Sequence, residues 1–240
     1  MTFILTSRLV THRHNEDGSR TPTKIKNKNK ILTNIRKNLK AKNRLVWVCN
    51  DPNNTIENDT RSALVFKSFD LTFKKEPFKE KIVLDSRNKS NAKEILENAD
   101  IIILSGGKCL CQQNFSKEIN LKNILKNFKG IVIGTSAGTM NLCETVANFP
   151  EELADLDEPR WFEGLGFCDE IIIPHFDGKT KTYQIPLDEI DIVNDYILPM
   201  SKEKDFLGIP NGSYLLVDDG GNKKLYGKCY KISKGEVKRI

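Results

Sequence analysis

The stretch Ile131-Val132-Ile133-Gly134-Thr135-Ser136-Ala137-Gly138 joins an apolar run to a serine set between two glycines. G-x-S-x-G between a strand and a helix predicts a sharp turn that exposes a hydroxyl. A side chain at Gly134 or Gly138 would crowd such a turn. A helix starting after Ser136 aims its free N–H groups at the same place, where acyl transfer puts negative charge on oxygen. Ser136 is therefore the candidate nucleophile. The structural alternative is a glycine-rich turn that only packs a helix on a strand.

A serine hydroxyl needs a base. The chain has three histidines. His12 and His14 fall in a polar stretch and are expected to face solvent. His175 follows Ile171-Ile172-Ile173-Pro174, at the carboxyl end of an apolar strand. It is the candidate base. The 39 positions from Ser136 to His175 leave room for one helix, a loop and one strand. In an α/β-hydrolase the acid lies between serine and histidine. Here the order serine, histidine, third group fits better.

Apolar periodicity suggests the elements that carry these residues. Strands are expected at Thr2–Thr6, Leu45–Cys49, Lys81–Leu84, Ile101–Leu104, Ile131–Ile133 and Ile171–Ile173. Helices are expected from Ile31 through Leu39, over 57–72, over Ser90–Asn98, through Ile119 and Leu125, over Ala137–Val146 and over 186–198. Residues 11–30 read as an exposed loop with Asp17-Gly18 as a turn. Short strands are expected at Tyr214–Val217, Lys224–Tyr226 and Cys229–Ile232. Continuous apolar strands alternating with helices imply an α/β fold: a mostly parallel sheet flanked by helices on both faces, with short C-terminal β-strands. Ligands bind beyond the carboxyl ends of such strands. Gly106-Gly107, Ser136 and His175 all lie there, so they should converge on one crevice.

Composition narrows the function. The chain has 240 residues, of which 38% are hydrophobic and 29% charged, and one domain over 1–240 is expected. No apolar run is long enough to span a membrane, and the first residues lack the features of a signal peptide. Six cysteines follow no framework spacing, which suggests reduced thiols and a cytoplasmic protein. Cys109-Leu110-Cys111 lacks the second pair that a zinc site needs, so neither metal nor cofactor is expected. The net charge of +6 sits in residues 1–43, with eleven Lys/Arg against two acids. No aromatic residues interleave Lys24, Lys26, Lys28 and Lys30 for base stacking, so a solvated basic face is favoured over nucleic-acid binding.

Four segments in order carry a resemblance: Ser105-Gly106-Gly107, Gly134-Thr135-Ser136-Ala137-Gly138, Gly164-Leu165-Gly166-Phe167 with Ile173-Pro174-His175-Phe176, and Ile209-Pro210-Asn211-Gly212-Ser213. Together they resemble peptidase family S51, the dipeptidase E and cyanophycinase group. That family is similar in fold to class I glutamine amidotransferases, with a Rossmann-like three-layer arrangement. The resemblance implies Ser136 as nucleophile, His175 as base, and the N–H groups of Gly107 and Ala137 as oxyanion donors. It implies a small peptide or isopeptide substrate, with aspartyl dipeptides as one candidate.

Two departures stand out. Lys108-Cys109-Leu110 replaces the Asn-Thr-Phe common in dipeptidase E relatives, and Lys108 is the candidate cation for an acidic substrate. The third member of the family's triad is a carboxylate, and Asn211 stands there. Asn211 could accept from the imidazole without stabilising its charge, or Asp177 or Asp205 could substitute. The expectation is a serine hydrolase weakened by Asn211, with a small peptide as partner, no nucleic acid, no membrane, and a homodimer left open. The alternative is a non-catalytic relative that binds a peptide or small molecule.

Overall fold

The computed structural model describes residues 1–150, 155–178 and 191–240. Fifteen strands occur along the described chain: β1 Thr2–Thr6, β2 His12–His14, β3 Arg20–Pro22, β4 Arg44–Val48, β5 Glu80–Leu84, β6 Ile101–Leu104, β7 Ile131–Thr135, β8 Thr145–Ala147, β9 Trp161–Glu163, β10 Ile172–Pro174, β11 Phe206–Ile209, β12 Tyr214–Val217, β13 Lys223–Tyr226, β14 Tyr230–Ser233 and β15 Glu236–Arg239. The helices are α1 Ile31–Asn38, α2 Thr55–Thr72, α3 Ala92–Glu97, α4 Cys109–Glu118, α5 Leu121–Lys126, α6 Ala137–Leu142 and α7 Leu198–Met200. A π-helical stretch, Ile192–Ile197, runs into α7.

Seven strands form the main sheet in the order β13-β12-β1-β7-β6-β4-β5. Its five strands from β1 to β5 are parallel, and β12 and β13 add antiparallel at one side. The central strands are almost wholly apolar because both of their faces are covered. Every residue of Thr2–Thr6 and of Ile101–Leu104 is buried. The edges look different. β5 starts with Glu80 and Lys81, and β13 with Lys223 and Lys224, charges that discourage pairing with another sheet.

A second sheet has the order β10-β11-β14-β15. β10 and β11 are parallel and the others antiparallel. Ile173, Phe176, Phe206 and Ile232 pack from it onto Ile192, Val193 and Ile197 of the π-helical stretch. His175 therefore arrives from this second sheet, not from the main one that carries Ser136.

The structure corrects several expected elements. Residues 11–30 contain the hairpin β2–β3, not only loop, closed by Gly18 N–H to the Asn15 carbonyl at 3.1 Å. His-Arg-His and Arg-Thr-Pro show no apolar alternation, so nothing in the pattern marks them as strands. The helix expected through Ile119 and Leu125 is two helices, broken at Asn120 with φ +55°. Asparagine tolerates that left-handed conformation. The helix expected over Ala137–Val146 stops at Leu142. Cys143 turns extended to pair with Cys168, and Thr145–Ala147 continues as β8 against β9. The expected helix over 186–198 begins outside the described residues; from Ile192 onward the chain is helical. Among the described residues, no helix is long and apolar enough to cross a membrane.

Candidate active site

β7 delivers Ser136 at the carboxyl edge of the main sheet. Ser136 has φ +51° and ψ −116°, a conformation that costs a non-glycine residue on the order of 1–3 kcal/mol. Its surroundings hold it there. Ser136 N–H donates to the Thr6 carbonyl at 3.0 Å, and its own carbonyl accepts from Thr139 and Met140 at 2.8 and 3.1 Å. Gly138 lets α6 sit against β6: a Cβ there would lie 2.3 Å from the Leu104 carbonyl oxygen. The tight turn expected from the sequence is present, and close backbone approach is what demands glycine.

His175 lies just past β10, with φ +62°. Ser7, just past β1, fixes it. The Ser7 hydroxyl accepts from the His175 N–H at 2.9 Å and donates to the carbonyl of Ile209, the last residue of β11. One hydroxyl thus ties the ends of β1, β10 and β11 together. Nothing in the sequence singles out Ser7, because its partners lie 168 and 202 positions away.

Three of the expected site residues are joined. The Ser136 hydroxyl lies 2.9 Å from His175 Nε2, and His175 Nδ1 lies 2.8 Å from Asn211 Oδ1. An amide oxygen can only accept, so Nδ1 carries the proton and Nε2 is free to accept from Ser136. Asp205 is engaged elsewhere, with Lys231 at 2.8 Å and with the Ser233 hydroxyl. Burial lowers the His175 pKa; the Asn211 hydrogen bond opposes this, and the nearby Arg8 charge adds to the lowering.

The expected oxyanion donors sit beside the serine. Among the described residues, the N–H groups of Gly107 and Ala137 find no acceptor. Gly107 has φ +141°, and a Cβ there would lie 2.3 Å from the Asn50 amide nitrogen. A glycine is needed at this position for conformation and for space. Gly106 presses on Ser136 itself: a Cβ there would lie 3.0 Å from the serine Cβ. The two loops therefore meet at one point, where a half-buried hydroxyl, an imidazole and two free amides could carry out acyl transfer.

Lys108 is placed differently from the expectation. It caps α4, and its ammonium lies 3.4 Å from buried Asp155. It does not line the cavity that opens onto Ser136 and His175. That cavity, about 370 Å³, is walled instead by Arg8, Arg20, Arg61, His12 and His14, with Trp47 at its apolar side. Arg61 comes from α2. Its guanidinium donates to the Asn50 side-chain oxygen at 3.0 Å and to the Gly106 carbonyl at 2.7 Å, which brings it to the serine loop. Arg8 Nη2 lies 3.2 Å from His12 Nε2 and 3.1 Å from His14 Nε2. Burial lowers the His12 pKa, and Arg8, Arg20 and His14 reinforce the shift. His14 is exposed, as expected, and His12 half-buried; both line the cavity. Among the described residues, no group of three or more His, Cys, Asp or Glu is arranged to hold a metal ion.

Comparison with known proteins agrees with this layout. The chain is similar in structure to a crystallised peptidase from an acI-B1 Actinobacterium, with a TM-score of 0.68 and 16% identity over 100% of this chain and 93% of that one. It is also similar to a peptidase E-like protein from Listeria monocytogenes EGD-e, with a TM-score of 0.54 and 15% identity over 94% of this chain and 98% of that one. At these identities the likeness speaks for the fold. No curated protein matches the chain. The model of peptidase family S51 matches residues 25–225, from before α1 into β13. The chain belongs to peptidase family S51 and is a peptidase hydrolase.

Proposed function

We propose that the chain is a serine peptidase that cleaves a small peptide or isopeptide amide, with aspartyl dipeptides as the first candidates. The observation that carries this reading is the unbroken run Ser136 Oγ, His175 Nε2, His175 Nδ1 and Asn211 Oδ1, with contacts of 2.9 and 2.8 Å. Positioned groups of this kind convert a weak hydroxyl into a nucleophile.

Ser136 attacks the substrate carbonyl carbon while His175 Nε2 takes its proton. The carbonyl π pair moves onto oxygen, which the N–H groups of Gly107 and Ala137 receive; one such donor is worth roughly 10²–10³ in rate. The tetrahedral intermediate collapses, the C–N bond breaks, and protonated His175 gives its proton to the leaving amine. A water molecule, deprotonated by His175, then attacks the acyl-enzyme. Collapse returns the proton to Ser136 and frees the acid.

An acidic side chain on the substrate would meet Arg61, whose guanidinium is bonded to the Gly106 carbonyl beside Ser136. This residue takes the role first expected of Lys108. A dipeptide library assayed with wild type and Ser136→Ala tests the reading. Turnover of aspartyl dipeptides by wild type alone is the expected result. Equal turnover by both proteins, or none by either, contradicts it.

A further inference from the structure

The cavity beside Ser136 holds more positive charge than one carboxylate can balance. Arg8, Arg20 and Arg61 all line it, with His12 and His14, and no lining residue among those described is acidic. Arg61 has an exposed counter-charge in Glu57, 3.7 Å away. Among the described residues, Arg8 and Arg20 have no carboxylate partner. A guanidinium has five N–H donors, and clustered guanidiniums facing a cavity repel one another unless an anion lies between them.

These charges come from two places. Arg61 belongs to α2 and is bonded to the serine loop through Gly106. Arg20 starts β3, and His12 and His14 bracket β2; Arg8 lies before the hairpin and reaches both imidazoles. The hairpin packs on α2, so its basic face continues the wall that Arg61 begins. The segment is short, polar and stabilised by its own turn, with Asn15 bonded to Ser19 and Thr21 at 2.8 and 2.9 Å. It contributes no residue to the hydrophobic core, since its buried neighbours Leu9 and Ile25 lie outside the two strands. Such a segment can be shaped by what it binds.

We propose that the hairpin selects a substrate acidic on both sides of the scissile amide, with Arg61 receiving one acid and the Arg8–Arg20 face, with His12 and His14, receiving the other. This rests on the peptidase mechanism given above and extends it from aspartyl dipeptides in general to diacidic ones. His12 Nε2 and His14 Nε2 lie 3.2 and 3.1 Å from Arg8 Nη2 and so hold its guanidinium in the cavity wall. Arg20 supplies a second charge-assisted contact to the same carboxylate.

The test uses calorimetric titration of the Ser136→Ala protein, so that binding is read apart from turnover. The probes are Asp-Asp-NH₂, Asp-Ala-NH₂ and Ala-Ala-NH₂, whose amidated ends remove the terminal carboxylate as a competing anion. Asp-Asp-NH₂ should bind about 10-fold tighter than Asp-Ala-NH₂, as expected for one added charge-assisted contact. The preference should shrink as salt is raised. Adding Arg20→Gln should remove most of the preference; Arg20→Lys should keep part of it. A His12→Gln/His14→Gln pair should weaken Asp-Asp-NH₂ selectively. Equal binding of the first two probes, no binding of Asp-Asp-NH₂, or a preference that survives both sets of substitutions would overturn the proposal. Failure of the wild type to hydrolyse any dipeptide, with the binding preference intact, would instead count against the mechanism.

Discussion

His175 donates its Nδ1 proton to the Asn211 side-chain oxygen across 2.8 Å, at the place where the resemblance to family S51 implies a carboxylate. The contact supplies half of what a carboxylate does. It fixes the tautomer that leaves Nε2 facing Ser136, but it brings no negative charge to the imidazolium formed during attack.

Asn211→Asp should therefore raise kcat. In serine proteases, exchange of the carboxylate for an amide costs roughly 10⁴, largely through the wrong tautomer. Here the tautomer is already correct, so the gain should be smaller, on the order of 10–100-fold. Steady-state kinetics on an aspartyl dipeptide checks this, and an unchanged kcat would remove Asn211 from the catalytic run.

The pH profile should carry the mark of burial. His175 has its pKa lowered by desolvation and by Arg8, so the base stays deprotonated to a lower pH than a free histidine. The acidic limb of kcat/KM should fall below pH 6.5, the ordinary value for a histidine side chain. Arg8→Gln removes a cation that disfavours the imidazolium, so the limb should move upward. Asn211→Asp should move it the same way. A limb that stays put in both variants would show that another group titrates.

Ser7 acts on the chemistry through His175. Ser7→Ala strips an acceptor from the His175 N–H and a donor from the Ile209 carbonyl. Loss of such buried partners costs roughly 1–3 kcal/mol each in general. The imidazole should lose its fixed position, so kcat should fall about 10-fold or more with KM little changed, since misplacement by about 1 Å is enough. Ser7→Thr keeps the hydroxyl and should restore part of the rate. A change confined to KM, or no rescue by threonine, would contradict a positioning role.

Gly138→Ala tests the turn itself. The added methyl would meet the Leu104 carbonyl at 2.3 Å, a backbone atom that cannot swing aside. Overpacking of this sort costs about 1–3 kcal/mol or more. Thermal unfolding should show a lower Tm and the remaining folded protein a lower kcat. An unperturbed variant would mean that α6 can draw back from β6.

Much of this was legible in the chain. Ile101–Leu104 and Ile131–Ile133 are buried on both faces, so their composition alone announces a parallel sheet, and the glycines around Ser136 announce the turn. The α6 boundary was not legible, because Val146 continues the apolar run while its backbone pairs with Phe162 in β9. The cavity wall was also hidden. Arg8, Arg20 and Arg61 are ordinary surface residues by sequence, and only the packing of the hairpin on α2 brings them together. Lys108 looked favourable by adjacency to Gly107, yet its side chain follows the buried charge of Asp155 instead.

Covalent labelling tests the central claim most directly. A fluorophosphonate added to the wild-type protein should give one adduct by intact mass, mapped by peptide sequencing to Ser136. His175→Ala should slow its formation by at least about 10²-fold, the usual contribution of a positioned base. An adduct on another residue, or labelling of Ser136 at the same rate without His175, would contradict the account.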